Sequence, residues 1–173
     1  MVAVWEGPCW LGGLGAGAER QREAVLPTFL IDRREVSNAD YARFVAETGA
    51  PAPRHWDQGR VPEGTEDFPV VHVPFEHASR YAAWAGKRLP TAAEWEKAAR
   101  GIDGRRYPWG QNLVADRAVA GGLESAVPVT RATADVSPYG CEHMAGNVAE
   151  WTSDPWLADA PEGDRLIKGA SYA

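Results

Sequence analysis

"KRLPTAAEWEKAARG" (87–101) decides how this chain is read. Thr91 is followed three positions later by Glu94, the spacing of a capping box. The threonine hydroxyl accepts the third amide of the helix, and the glutamate returns to the amide of the cap. Gly101 then ends the helix, and Trp95 reads as a core residue. Working towards the N-terminus, "PVVHVPFEHASRYAAWAG" (69–86) reads as a short strand running into a helix that ends at Gly86. Ala78, Tyr81, Ala82 and Ala85 form its apolar stripe, and Trp84 reads as core. "SNADYARFVAETG" (37–49) is a third helical pattern, capped by Ser37 or Asn38, apolar at Tyr41, Phe44 and Val45, and stopped by Gly49.

The flanks are extended or irregular. Residues 2–10 read as a strand ended by "LGGLGAG" (11–17), residues 18–24 as a charged loop, and 25–37 as a second extended stretch with Pro27 at an edge or bulge. Residues 50–69 form a long loop whose distinctive members are His55 and Trp56. Beyond residue 101 regular periodicity disappears, yet the aromatic and valine content argues for compact irregular structure. In "YPWG" (107–110) Trp109 is expected to pack under its own turn. Helices followed by an aromatic-anchored irregular half give an α+β plan in one domain, 1–173.

The bulk numbers exclude several classes of function. The chain has 173 residues, a net charge of −6 and eight tryptophans. No basic stripe points to nucleic acid; "DRRE" (32–35) and "GRR" (104–106) read as local ion pairs or solvated charge. No apolar run nears the roughly 18 residues of a membrane span, and the first residues lack the form of a signal peptide. A cytoplasmic location is the expectation. Cys9 and Cys141, far apart and outside any CxxC pattern, read as buried small hydrophobes, with a disulfide not indicated. "GGLGAG" (12–17) has no βαβ context and is not a nucleotide loop. His72 and His77 flank a strand–helix junction and do not share a face.

A second stretch, "HMAGNVAEWTSD" (143–154), suits neither a helix nor a strand, because Gly146-Asn147 sits in its middle. It reads as an irregular backbone that holds a ligand or holds itself. Asn147 fits the latter, since asparagine tolerates left-handed dihedrals and bonds nearby backbone.

Taken in order, "VSNADYARFV", "FPVVHVPFEHASRYAAWAGKRLPTAAEWEKAARG", "YPWG", "SPYGCEHMAGNVAEWTSD" and "IKGASY" resemble the formylglycine-generating enzyme, or sulfatase-modifying-factor, family over the whole chain. The resemblance implies a C-type-lectin-like fold with a small twisted antiparallel sheet, two main helices and much irregular chain. It also implies calcium at the 143–150 loop, with carbonyls of Gly146 and Val148 and the carboxylate of Glu150 as ligands. The family places an oxygen-bearing side chain where this sequence has His143. The competing reading of Glu150 is a carboxylate that fixes the loop backbone itself. A second family calcium position falls on Val119, which has no ligand oxygen in its side chain.

Family enzymes use two closely spaced cysteines after a "GGS" element to bind copper and oxidise a cysteine of a sulfatase. Soft thiolates suit Cu(I). Here the matching element is "KGASYA" (168–173), and neither Cys9 nor Cys141 matches the catalytic pair, so copper is not expected. The family domain continues past this point to a "GFR" ending, so the chain is expected to lack that segment and to leave strand edges open. Two functions follow. One is a non-catalytic binding or scaffold module for a protein or peptide partner, with a second chain completing the sheet and His55, Trp56, Trp151 and Trp156 as the partner surface. The other is a truncated copper oxidase or a related sulfoxide-synthase-type oxygenase. The first is preferred.

Overall fold

The computed structural model describes residues 1–13, 20–114, 117–119, 125–156 and 164–171. In chain order its elements are β1 (Val2–Val4), β2 (Gly7–Leu11), β3 (Arg22–Leu26), β4 (Phe29–Ile31), α1 (Asn38–Thr48), α2 (Phe75–Trp84), α3 (Ala92–Arg100), β5 (Glu150–Pro155) and β6 (Arg165–Lys168). The strands form three antiparallel two-stranded ladders, β1–β4, β2–β3 and β5–β6. The architecture is α+β, with three α-helices among the described residues, at the segments marked by periodicity and capping.

Several local expectations differ from what the chain does. The extended stretch at 2–10 is two strands, interrupted before Gly7, whose φ of 133° turns the chain between the β1–β4 and β2–β3 ladders. The segment read as a charged loop contributes Arg22–Ala24 to β3, where Trp10 opposes Glu23 and Leu11 opposes Arg22. No ladder forms at 69–73; the backbone there makes a single bridge, Ser37 to Pro69, and a Val70 N–H bond to the Val36 carbonyl. Strands this short carry too few alternations to be told from loops by pattern.

Helix ends behave as their sequences require. Ser37 caps α1 by accepting the Asp40 amide, and Gly49 closes it in the left-handed conformation. The Thr91/Glu94 capping box is complete at α3, and Gly101 is its C-cap. Tyr41 and Phe44 are buried with Trp56 and Ala50 in one cluster, against which Tyr81 and Trp84 of α2 pack. Each fully buried large side chain there contributes about 1.5–3 kcal/mol. A second cluster joins Val4, Trp95, Ala98, Ala99, Cys141 and Met144.

Helix α3 is the hub between strands and irregular chain, and its polar residues are buried with its apolar ones. Lys97, 1% exposed, donates to the Trp5 and Gly7 carbonyls at 2.8 and 3.0 Å, fixing the β1–β2 corner. Arg100 donates to the Gly12 and Arg105 carbonyls and to Glu96, which itself accepts the Gly12 amide at 2.7 Å. On its other side Ala92 N–H reaches Asp154 of β5 at 2.6 Å, and Lys168 of β6 pairs with Glu96 at 3.1 Å. Irregular backbone leaves carbonyls without ladder partners, and buried cations satisfy them.

The charge clusters form ion pairs, of which Arg105–Asp103 is local as expected and those of residues 32–34 join distant segments. Arg33 and Arg34 meet Glu142 at 2.8 and 2.7 Å, Lys87 meets Asp32 at 2.8 Å, and Arg105 meets Asp103 at 2.8 Å. Trp109 stacks on Tyr107 with ring centroids 5.2 Å apart. Among the described residues no helix is long and apolar enough to cross a membrane. Most of the glycine-rich loop, residues 14–17, and the final residues 172–173 lie outside the described residues.

Candidate functional site

The 143–149 loop runs into β5 at Glu150 and is clamped by Asn147. Asn147 is fully buried with φ 69°. Its Oδ1 accepts the Val127 amide at 2.8 Å, while its Nδ2 donates to the Val127 carbonyl at 3.2 Å and to Glu35 Oε2 at 2.9 Å. Its own amide donates to the Val119 carbonyl. Gly146 precedes it because the chain passes directly over Val119: a Cβ there would lie 2.4 Å from the Val119 carbonyl oxygen. The Gly-Asn pair is thus explained by one close approach and one left-handed residue with four polar bonds.

His143 enters the loop with φ 60° and is 1% exposed. Neither ring nitrogen makes a well-formed hydrogen bond, and burial lowers its pKa. Asp135, also buried, accepts the Ala145 amide at 2.7 Å, and burial pushes its carboxyl up to about 6.

Glu150 does not bond the loop amides. Its Oε2 accepts the Trp95 indole N–H at 2.6 Å, so the carboxylate ties β5 to α3. Burial raises its pKa to about 7. The acid that holds the loop is Glu35, just before α1. Burial, and next the charge of Glu150, push Glu35 up to about 9, opposed by the bonds from Asn147 and the Val148 amide. Its Oε1 has no partner. Sequence reasoning missed Glu35 because "DRRE" looks like a solvated charge cluster. The available signal was its place one residue before the Val36-Ser37 entry to a capped helix.

A buried carboxyl with an unpartnered oxygen, its pKa raised further by the charge of a second carboxylate, Glu150, forms with it a donor set suited to a hard divalent cation. With carbonyls of the same loop they fit the oxygen chemistry of Ca²⁺. Glu35, Glu150 and the Gly146 and Val148 carbonyls are the groups that could hold it. His143 does not fit, since its buried imidazole offers nitrogen only. Among the described residues no group of three or more His, Cys, Asp or Glu side chains is arranged to hold a metal, so carbonyls and water would have to complete the shell.

The two carboxylates share an apolar cavity of about 580 Å³ between β4, α2 and the 142–151 segment. Phe29, Ile31, Val73, Tyr81, Met144 and Trp151 are among the residues that line it, with Glu35 and Glu150. The basic residues at its rim, Arg33, Arg34, Lys87 and Arg88, are paired with Glu142, Asp32 and Glu94.

The four residues expected to form one partner surface separate. Trp151 lines the cavity, its indole N–H bonded to the Val73 carbonyl at 2.9 Å and its ring edge-on to Phe75. Trp156 is 60% exposed at the end of β5, and His55 is exposed on the 50–69 loop; neither lines the cavity. Trp56 is a correction: at 4% exposure it packs edge-on to Tyr41 in the core and offers no surface. The loop carrying it is pinned from inside by this ring.

The two cysteines are free and buried, at 1% and 0% exposure. Burial raises both thiols, that of Cys141 to about 11. Cys9 opposes Ala24 in the β2–β3 ladder, whereas Cys141 packs against Val4 and Trp95.

Among the described residues the chain is an α+β domain of three α-helices and short ladders, with a clamped Gly-Asn loop whose flanks, Met144 and Val148, line an apolar cavity. The chain belongs to the family of sulfatase-modifying factor enzyme 1-like domains, whose model matches residues 1–173. It is 39% identical to a hercynine oxygenase of Mycolicibacterium smegmatis, over 86% of this chain and 46% of that protein. It is 35% identical to a formylglycine-generating enzyme of Thermomonospora curvata, over 92% of this chain and 72% of that one. It is also 40% identical to the inactive C-alpha-formylglycine-generating enzyme 2 of Bos taurus, over 61% and 39% of the two chains. The chain thus spans about half the length of the oxygenase and a larger share of the bacterial enzyme. Treponema denticola variable protein 1 shares the fold, with a TM-score of 0.73 and 22% identity over 100% of this chain and 84% of that one.

Proposed function

We propose that this domain is a binding module that takes an extended, apolar peptide segment into the cavity beside β4. The observation that carries this reading is the cavity itself: apolar, with the cations of its rim paired to acids, and bordered by a strand of a two-stranded ladder. Such a strand keeps one edge without a ladder partner among the described residues, and an added strand supplies main-chain bonds while pockets select alternate side chains. A second chain that completes the sheet would use the same edge. Calcium held by Glu35, Glu150 and the Gly146 and Val148 carbonyls would fix the cavity wall by displacing the proton that burial and the charge of Glu150 keep on Glu35.

Copper chemistry by this stretch of chain is not part of the proposal. A raised thiol pKa disfavours the thiolate that Cu(I) requires, and the two thiols sit in separate packing environments. The names of the two more fully covered relatives favour a second reading, in which this stretch is part of a longer oxidising enzyme. The test is fluorescence anisotropy with a labelled library of extended apolar hexapeptides at saturating Ca²⁺. Saturable binding that is lost in Tyr81→Lys and Leu30→Pro supports the module. No saturable binding, or binding indifferent to both substitutions, overturns it.

A further inference from the structure

His55 and His72 are 17 positions apart in sequence and were not paired by any sequence pattern. The fold brings their rings to a centroid distance of 5.3 Å at an interplanar angle of 71°. Both are exposed. Both are also held by anchored neighbours. Trp56, next to His55, is buried in the core, and its amide bonds the Pro53 carbonyl at 3.0 Å. His72 lies between Val70, bonded to the Val36 carbonyl, and Val73, whose carbonyl accepts the Trp151 indole. His72 itself is held at φ 55°, a conformation that side-chain-bearing residues adopt at a cost and that concentrates at functional positions.

The ring separation has a specific chemical meaning. Two imidazoles bound to one tetrahedral Zn²⁺ at about 2.0–2.1 Å place their ring centroids about 5.2 Å apart. The rings are already at that separation, and the terminal torsion of an exposed histidine is broad, so each ring is free to reorient its nitrogens. We propose that His55 and His72 form a two-histidine site for a borderline-soft divalent cation, Zn²⁺ or Cu²⁺, separate from the carboxylate site at the cavity. Imidazole nitrogen suits these metals, and Ca²⁺, which takes oxygen, does not compete for it. Burial, and next the neighbouring His72, lower the pKa of His55, which favours the neutral, ligating form of the ring. Among the described residues no third His, Cys, Asp or Glu joins the pair. The remaining coordination positions are therefore left to water or to a group from outside the chain.

The test is a Zn²⁺ titration of the chain at saturating Ca²⁺, read by calorimetry and by the ring signals of its four histidines in long-range ¹H–¹⁵N spectra. One equivalent is expected to bind and to shift His55 and His72, leaving His77 and His143 in place. His55→Ala and His72→Asn, the latter chosen because asparagine tolerates a positive φ, should each weaken binding at least about tenfold. His77→Ala should not change it. Absence of saturable binding, shifts confined to His77 or His143, or parental affinity in both variants would overturn the proposal. Ring mapping on the parent chain decides the matter even if His72→Asn folds poorly.

Discussion

Replacing Asn147 with alanine removes three side-chain bonds from a fully buried position: one from the Val127 amide, one to the Val127 carbonyl and one to Glu35. Val127 is itself only 8% exposed, so water does not replace what is lost. Each buried polar group left unsatisfied costs about 1–3 kcal/mol. Alanine at φ 69° adds about 1 kcal/mol that asparagine largely avoids. At the low end of the per-group range the three groups and the backbone strain together come to about 4 kcal/mol, against a total stability of about 5–15 kcal/mol for a domain. Urea unfolding followed by tryptophan fluorescence should show the midpoint falling with an unchanged slope, and the melting temperature should drop by about 10–20 °C. Asn147→Gly separates the two contributions, since glycine relieves the backbone term and should recover about 1 kcal/mol. A loss below about 1 kcal/mol in Asn147→Ala would refute the view that this side chain clamps the loop.

Three further outcomes follow from the same geometry. Gly146→Ala should destabilise strongly and disturb the Val119 contact, seen as faster amide exchange at Asn147, because a Cβ 2.4 Å from the Val119 oxygen forces one chain segment to move. Thr91→Ala should cost about 1 kcal/mol by thermal melting, through loss of the Glu94 amide bond at the α3 cap. In chelator, stability should fall as pH rises from about 4.5 to about 9. Glu35 and Glu150 have folded pKa values raised to about 9 and about 7, so the fold binds protons that the unfolded chain has released. Excess Ca²⁺ should flatten that slope, and Glu35→Gln should remove most of it; a stability that rises with pH in chelator contradicts the assignment.

The parts of this fold legible in the sequence are those governed by local chemistry. The capping box at Thr91/Glu94, the Ser37 and Gly49 ends of α1, and the apolar face of Tyr41 and Phe44 are properties of a few adjacent residues, and all are found where expected. The charge cluster at 32–35 forms ion pairs through Asp32, Arg33 and Arg34, but with the distant Lys87 and Glu142 rather than locally, and Glu35 is likewise set by a residue 112 positions away. Lys97 and Arg100 look like the solvated face of a helix; they are buried because carbonyls of Trp5, Gly7, Gly12 and Arg105 need donors, which only the folded chain reveals. Trp56 reads as a loop residue because its core partners come from α1 and α2. Of the candidate site, Asn147 was legible as a backbone-fixing residue, and Gly146 as a position of irregular chain. The cavity and the His55–His72 pair were not, since both arise from segments joined only in three dimensions.

The most direct test of the binding-module account is native mass spectrometry of the chain with Ca²⁺ present and Cu(I) added under reducing conditions, alongside oxygen uptake with a cysteine-bearing sulfatase peptide. The account predicts retained Ca²⁺, no retained Cu(I) and no peptide-dependent oxygen uptake. Tight Cu(I) binding that disappears in Cys9→Ser and Cys141→Ser, together with conversion of the peptide cysteine, would contradict it.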